Sequence, residues 1–348
     1  MAVVLVDDFV TDLLGKSNAP ELDIFGQDSH IYLVSLPQRE DRRDQMERLR
    51  IAQGFEWTTY DAIDSSDPII ENIIHQVGLH RELFTNTASF RWPRNINALS
   101  ITSSHLLPSE SDLWPILDYR IHDHTPSHAS SNVSHSGPLP SNLTCATDDY
   151  TILPFNAGLS DFRVLTAPKV ACWYSHISAI RRFADSNNTG PDDIAIILED
   201  DIDMEQDIRQ RMHSLWGSLP VDWEIVFFGH CWSNESFYPP LPRPSSDNAK
   251  TFQSSSTQIH PSFAPKCTHA YALSRSGARR LLLHLRYPLF AYSRALDQAY
   301  AWLVESGRLR SYSVVPSIVV QRKIGKSDVM AGMGSAWRET LDHGVFDG

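Results

Sequence analysis

Five apolar residues run straight into a crowd of acids at Ile194-Ala195-Ile196-Ile197-Leu198-Glu199-Asp200-Asp201-Ile202-Asp203. No other stretch constrains the fold as much. Four large aliphatic residues and an alanine suit a strand buried on both faces, as in a parallel sheet covered by helices. The carboxylates that follow are not what packing asks for, because crowded like charges repel and resist desolvation. Open α/β sheets place ligands outside the carboxyl ends of their strands. The acids therefore read as a site, and a divalent cation is their simplest neutraliser. Hard oxygen donors with no soft partner nearby suit Mg²⁺ or Mn²⁺ better than zinc.

The rest of the chain alternates strand and helix signals around this segment. Ile31–Leu36 reads as a first strand, Gln38–Gln53 as a charged helix with Met46 and Leu49 inward and Gly54 as its stop, and Phe55–Ile63 as a second strand ending at Asp64. Trp173, Ile177, Ile180 and Ala184 share one helical face. Met204, Ile208, Met212 and Leu215 predict an amphipathic helix directly after the acids. Further strands are expected at Trp223–Gly229, His269–Leu273 and Tyr312–Val315, with helices over Ser276–Leu285 and around Leu296–Val304. This pattern predicts a single α/β domain over 30–330, a mostly parallel sheet flanked by helices. Residues 1–29 read as a flexible arm and 331–348 as a tail. Residues 65–165 form an insert, whose Ser-, His- and Pro-rich part at 122–149 reads as a mobile surface loop.

A net charge of −12 argues against a nucleic-acid partner. A negatively charged substrate would need local help from a metal or a few arginines. Cys145, Cys172, Cys231 and Cys267 contain no Cys-x-x-Cys pair, which leaves room for one or two bridges but not a disulfide scaffold or zinc knuckle. No span approaches a membrane helix. Met1–Asp8 makes a poor signal peptide, whereas sequons at Asn132, Asn142, Asn187 and Asn234 lean towards a secretory route, so secretory and cytoplasmic readings both stand. Histidines 122, 124, 128 and 135 read as part of a solvated loop rather than a metal site. An EF-hand fails because Gln206 stands where the loop glycine should be. Signatures of a serine-hydrolase elbow, a P-loop and a zincin are missing from the sequence.

Several blocks, taken in order, resemble glycosyltransferase family 25, the group of lipooligosaccharide and procollagen galactosyltransferases. They are Ile31–Leu36 followed by Arg39, Asp41, Arg42 and Arg43; Ala62-Ile63-Asp64; Cys172-Trp173-Tyr174-Ser175-His176; Ile197-Leu198-Glu199-Asp200-Asp201; and Ala270–Ala278. Asp297, Pro316–Gln321 and Ser327-Asp328 resemble the closing blocks. Ser35, Ser65 and Ala171 depart from the family's Asn, Gly and Gly, and the long insert has no counterpart in compact members.

The resemblance implies a GT-A, Rossmann-like fold and inverting, metal-dependent transfer of a hexose, in the first place galactose, from a UDP-sugar to a hydroxyl on a glycan or glycoprotein. A glucosyltransferase with the same site, or a degenerate domain that binds without turnover, is the alternative. Glu199 and Asp201 have the acid-x-acid spacing of the DxD motif, with Asp201 on Mn²⁺ (or Mg²⁺) and Glu199 on the metal or the ribose. Their other reading is a helix-capping strand end. Asp200, on the opposite side of an extended strand, takes a lesser place in donor binding. Arg39 and Arg42 read equally as donor contacts or as part of an Arg/Glu-laced helix. Asp64 is a ribose or uracil partner or a turn former. His176 reads as a core histidine and stays a donor-site candidate through its block. Asp297 is the candidate base for the acceptor hydroxyl, and otherwise a helix N-terminal carboxylate.

Overall fold

The computed structural model describes residues 24–25, 29–84, 92, 143–147, 151–186, 190, 192–243, 256–287, 290–323, 325–330, 332, 334 and 336–346. Most of the segment read as an arm and most of the 122–149 loop, with its histidines, lie outside these residues.

Eleven strands and six helices follow one another among the described residues. The strands are β1 (Ser29–Ser35), β2 (Thr58–Asp61), β3 (Leu143–Thr144), β4 (Val164–Leu165), β5 (Ile194–Glu199), β6 (Ile202–Met204), β7 (Ile225–Phe227), β8 (Gln258–Pro261), β9 (Ala270–Ser274), β10 (Ser311–Val315) and β11 (Val319–Gln321). The helices are α1 (Glu40–Gln53), α2 (Pro68–Phe84), α3 (Ala167–Ala184), α4 (Ile208–Trp216), α5 (Arg275–Leu285) and α6 (Leu296–Glu305).

Seven strands form one sheet in the order β2-β1-β5-β9-β7-β10-β8. β1 pairs parallel with β2 and β5, and β10 parallel with β7, while β9 runs antiparallel to both β5 and β7, and β8 to β10. The sheet is therefore mixed, with five of its seven strands running one way. It remains an α/β sheet flanked by helices, as the periodicity predicts, and Rossmann-like, as the resemblance implies.

The apolar run supplies an inner strand, β5, between β1 and β9, and its alternation divides the core. Ala195 and Ile197 pack into a cluster with α2, α3, α5 and α6, built around Trp173, Tyr271 and Tyr300. Ile194, Ile196 and Leu198 face the other way, against Met46 and Leu49 of α1 and Ile208, Met212 and Leu215 of α4. Helices on both sheet faces explain why this strand tolerates no polar residue until its last position. Ile24 and Phe25, inside the segment read as an arm, are buried in this second cluster, with Phe25 stacked on Phe55 at 4.7 Å.

One local expectation needs correction, and the structure fills in two readings that the sequence left open. Met204 does not begin a helix: it lies in β6, which pairs antiparallel with β11, and the helix starts at Ile208. The reason is the tail. Asp203 accepts the backbone N–H groups of Val345 and Phe346, and Glu205 those of Asp342 and His343, so both acids are consumed in holding residues 342–346. The insert contains a regular helix, α2, whose start is fixed by Pro68 in the first turn and by Asp67 accepting the N–H of Ile69 at 2.9 Å. Finally, Cys231 and Cys267 are joined in a disulfide, with Cα atoms 5.6 Å apart.

The Ala270–Ala278 block owes its form to packing. Ser274 caps α5 by accepting the N–H of Gly277 at 3.0 Å. A Cβ on Gly277 would sit 2.0 Å from the carbonyl oxygen of Glu224, so only glycine lets α5 lie this close to the segment entering β7. No helix among the described residues is long and apolar enough to cross a membrane.

Candidate active site

A cavity of about 700 Å³ opens at the carboxyl ends of β1 and β5, the position at which such sheets bind ligands. Glu199 is the last residue of β5 and Asp201 lies in the turn to β6; both line the cavity. So do Arg39 and Arg42 from the start of α1, and Asp297 from the first turn of α6. Five residues singled out in the sequence thus share one cavity. Asp64, His176 and Asp200 do not line it.

The four acids that crowd the end of β5 separate into two kinds. Asp203 is spent on the tail. Asp200 is buried, accepts from the Ser35 hydroxyl at 2.7 Å, and pairs with Arg42 Nη1 at 2.8 Å. Burial pushes its carboxyl up, against the pull of Arg42 and Ser35. Asp200 thus fixes Arg42 from behind. Asp64 accepts from Gln38 and from the Ser66 hydroxyl and N–H, a turn arrangement at the edge of β2.

Glu199 and Asp201 face the cavity in opposite electrostatic states. Burial raises the Glu199 carboxyl, but bonding from His176, whose Nε2 lies 3.3 Å from Oε1, and from Thr268 Oγ1 at 2.7 Å brings it below its ordinary value. Burial raises Asp201, and the charges of Glu199 and Asp200 add to this, so that its carboxyl is pushed up to about 7 despite Arg42 and Gln321. Arg42 Nη1 stands 3.4 Å from Asp201 and Gln321 Nε2 also 3.4 Å. A negative charge so incompletely compensated is what a cation relieves. Glu199 and Asp201 both offer hard oxygen donors, the kind that Mn²⁺ or Mg²⁺ takes.

One expectation about this site fails. The donors near Glu199 are not all hard: Cys172 and His176 lie one helical turn apart on α3, and their sulfur and nitrogen fall within 4.8 Å of each other and of a Glu199 oxygen. Strand–helix packing brings them there, which no local pattern around residue 199 reveals. His176 is a buried core histidine, as its apolar neighbours suggest, with Nδ1 2.9 Å from the Tyr271 hydroxyl.

Asp297 lines the same cavity. Burial pushes its carboxyl up, against the N–H of Gln298 at 2.8 Å, the charges of Lys266 and Lys169, and the N–H of Cys267. A raised carboxylate is a stronger base than an exposed one, at the cost of a narrower ionised range.

Sequence reasoning missed much of the cavity's cationic lining. Lys169, Lys266, Arg322 and Lys323 join Arg39 and Arg42, so six cations and five acids line the cavity of a chain with net charge −12. Arg322 and Lys323 directly follow the 316–321 block, a signal that was available. Lys266 reaches the wall beside the disulfide, and nothing local announces it. Trp232, Cys267 and Lys323 have φ of 54°, 69° and 49°, and all three line the cavity; left-handed backbone at non-glycine residues gathers at working sites.

Residues 150–293 match the model of glycosyltransferase family 25 (LPS biosynthesis protein). That region of the chain is similar to family 25. That region contains the Cys172–His176, Glu199–Asp201 and Ala270–Ala278 blocks and ends just before Asp297, while Arg39, Arg42 and Asp64 precede it. The match to family 25 supports glycosyltransferase activity, and with it a sugar donor and a glycan acceptor. None of the curated proteins compared with the chain matches it.

Proposed function

We propose that the chain is an inverting, metal-dependent hexosyltransferase that moves a sugar, in the first place galactose, from UDP to a hydroxyl of a glycan or glycoprotein. The observation that carries this is the shared cavity: an acid-x-acid pair, two fixed arginines and a raised carboxylate around one space of about 700 Å³, a volume suited to a small-molecule ligand.

Glu199 and Asp201 would hold Mn²⁺ or Mg²⁺, and the bound ion would supply neutralisation of charge on the leaving diphosphate. Arg42, held by Asp200, and Arg39, paired with Asp41 and Asp328, offer guanidinium donors to the diphosphate oxygens. Asp297 takes the proton of the acceptor hydroxyl as that oxygen attacks the anomeric carbon from the face opposite UDP. Lys266 and the Cys267 N–H pull against the burial of Asp297 and favour its ionised form. Asp64, outside the cavity lining, has no part in this scheme.

A screen of UDP-hexoses with Mn²⁺, read by released UDP, tests the reaction. Turnover that needs metal and is greatest with UDP-galactose is expected. No UDP binding by calorimetry with Mn²⁺ present would overturn the proposal.

A further inference from the structure

Cys172, His176 and Glu199 are arranged as a ligand set of another kind from the oxygen pair. Cys172 and His176 stand at i and i+4 on α3 and so project from one helix face. Glu199 meets that face from the end of β5. The separation of 3.3 Å between His176 Nε2 and Glu199 Oε1 is what two bonds of roughly 2.0–2.2 Å make at a tetrahedral angle. The Cys172 sulfur lies within 4.8 Å of a ring nitrogen of His176 and of a carboxylate oxygen of Glu199, against roughly 3.5 Å in a closed tetrahedron. A side-chain adjustment of the partly exposed Cys172 closes that gap.

The surroundings of His176 favour a metal at Nε2. Its Nδ1 lies 2.9 Å from the Tyr271 hydroxyl, which lies 3.2 Å from the Tyr300 hydroxyl, and all three side chains are buried. In the metal-free chain Nε2 donates to Glu199; when a cation replaces that proton, a relay donating from Nδ1 to Tyr271 and on to Tyr300 leaves Nε2 its lone pair for the metal. Metal-bound histidines are commonly oriented by such a partner on the other ring nitrogen. A lone pair facing a carboxylate oxygen at 3.3 Å needs a proton or a cation between them. Cys172 and Glu199 line the cavity, so a fourth position would open onto it, as in zinc sites with three protein ligands.

We infer that Cys172, His176 and Glu199 form a site for a thiophilic divalent cation such as Zn²⁺, distinct in ligand chemistry from the oxygen pair and sharing Glu199 with it. Binding releases the Cys172 thiol proton to solvent and forms a sulfur–metal bond. The site is independent of whether the chain transfers sugar, and its test reads no turnover.

The probe is Co²⁺ added to the full chain without reductant, so that the Cys231–Cys267 bridge stays closed and, of the four cysteines, only Cys145 and Cys172 are thiols. One equivalent should produce a sulfur-to-cobalt charge-transfer band that Zn²⁺ bleaches, that Cys172→Ser abolishes, and that Cys145→Ser leaves in place. In the wild-type chain, where folding is not in question, Zn²⁺ should slow iodoacetamide labelling of Cys172, mapped by mass spectrometry, by at least about tenfold. Cobalt binding without the band, a band that survives Cys172→Ser, or labelling unchanged by Zn²⁺ would each overturn the inference. A failed UDP screen beside an intact band would instead sink the reaction and leave this site standing.

Discussion

Arg42 Nη1 lies 2.8 Å from Asp200 and 3.4 Å from Asp201, so one guanidinium is held by a buried carboxylate and turned towards one that lines the cavity. The first contact fixes the arginine; the second makes it a provisional counter-ion that a metal would relieve. Asp200→Asn keeps the shape and removes the anchoring charge. It should cost about 1–3 kcal/mol of stability by denaturant unfolding and weaken UDP binding, whereas a merely solvated acid would show neither effect.

Asp201 should make the metal-free chain less stable as pH rises. Its folded carboxyl is pushed up to about 7 from an ordinary value of 3.8, so the folded state binds that proton more tightly than the unfolded chain. The contribution is fully present below about pH 4 and is lost as pH climbs towards 7. Melting in EDTA should show wild type losing stability relative to Asp201→Asn across that window. Parallel curves for the two proteins would refute the assignment of the shift to this group.

Removing the proposed base should separate chemistry from binding. Asp297→Asn is expected to lower the rate of transfer by about 10²–10⁴-fold while leaving the affinity for UDP with Mn²⁺ unchanged. Wild-type turnover in that variant would return Asp297 to a helix-terminus role.

The glycine of the family block makes a prediction about folding alone. Gly277→Ala forces a methyl against the Glu224 carbonyl, at 2.0 Å without movement. A loss of about 1–3 kcal/mol is expected in denaturant melts.

The bridge between Cys231 and Cys267 closes a loop across 36 positions. Its reduction should cost roughly 3–4 kcal/mol, seen as a lower melting temperature in reductant. An unchanged melt would show that the bridge does not constrain the unfolded chain.

Much of this architecture was legible. The spacing of Met46 and Leu49, or of Trp173, Ile177 and Ile180, carries its inward face in the sequence, and these residues are buried where expected. α2 was readable too, from Asp67-Pro68 and the isoleucines at 69, 70, 73 and 74, but a long polar stretch downstream drew the whole insert into one reading. Asp203 and Glu205 were not readable: the N–H groups that hold them to the tail arrive from 342–346, more than a hundred residues away.

The sequence by itself determined that an apolar central strand would end in acids beside helices, because period and hydrophobicity are local properties that burial must honour. Tertiary structure alone decided which acids face the cavity and which are spent on Ser35, Arg42 and the tail. It also decided that a cysteine and a histidine from α3 stand beside Glu199. Charge and coordination depend on what lies within a few ångströms in space, and the chain order of this protein keeps those neighbours far apart.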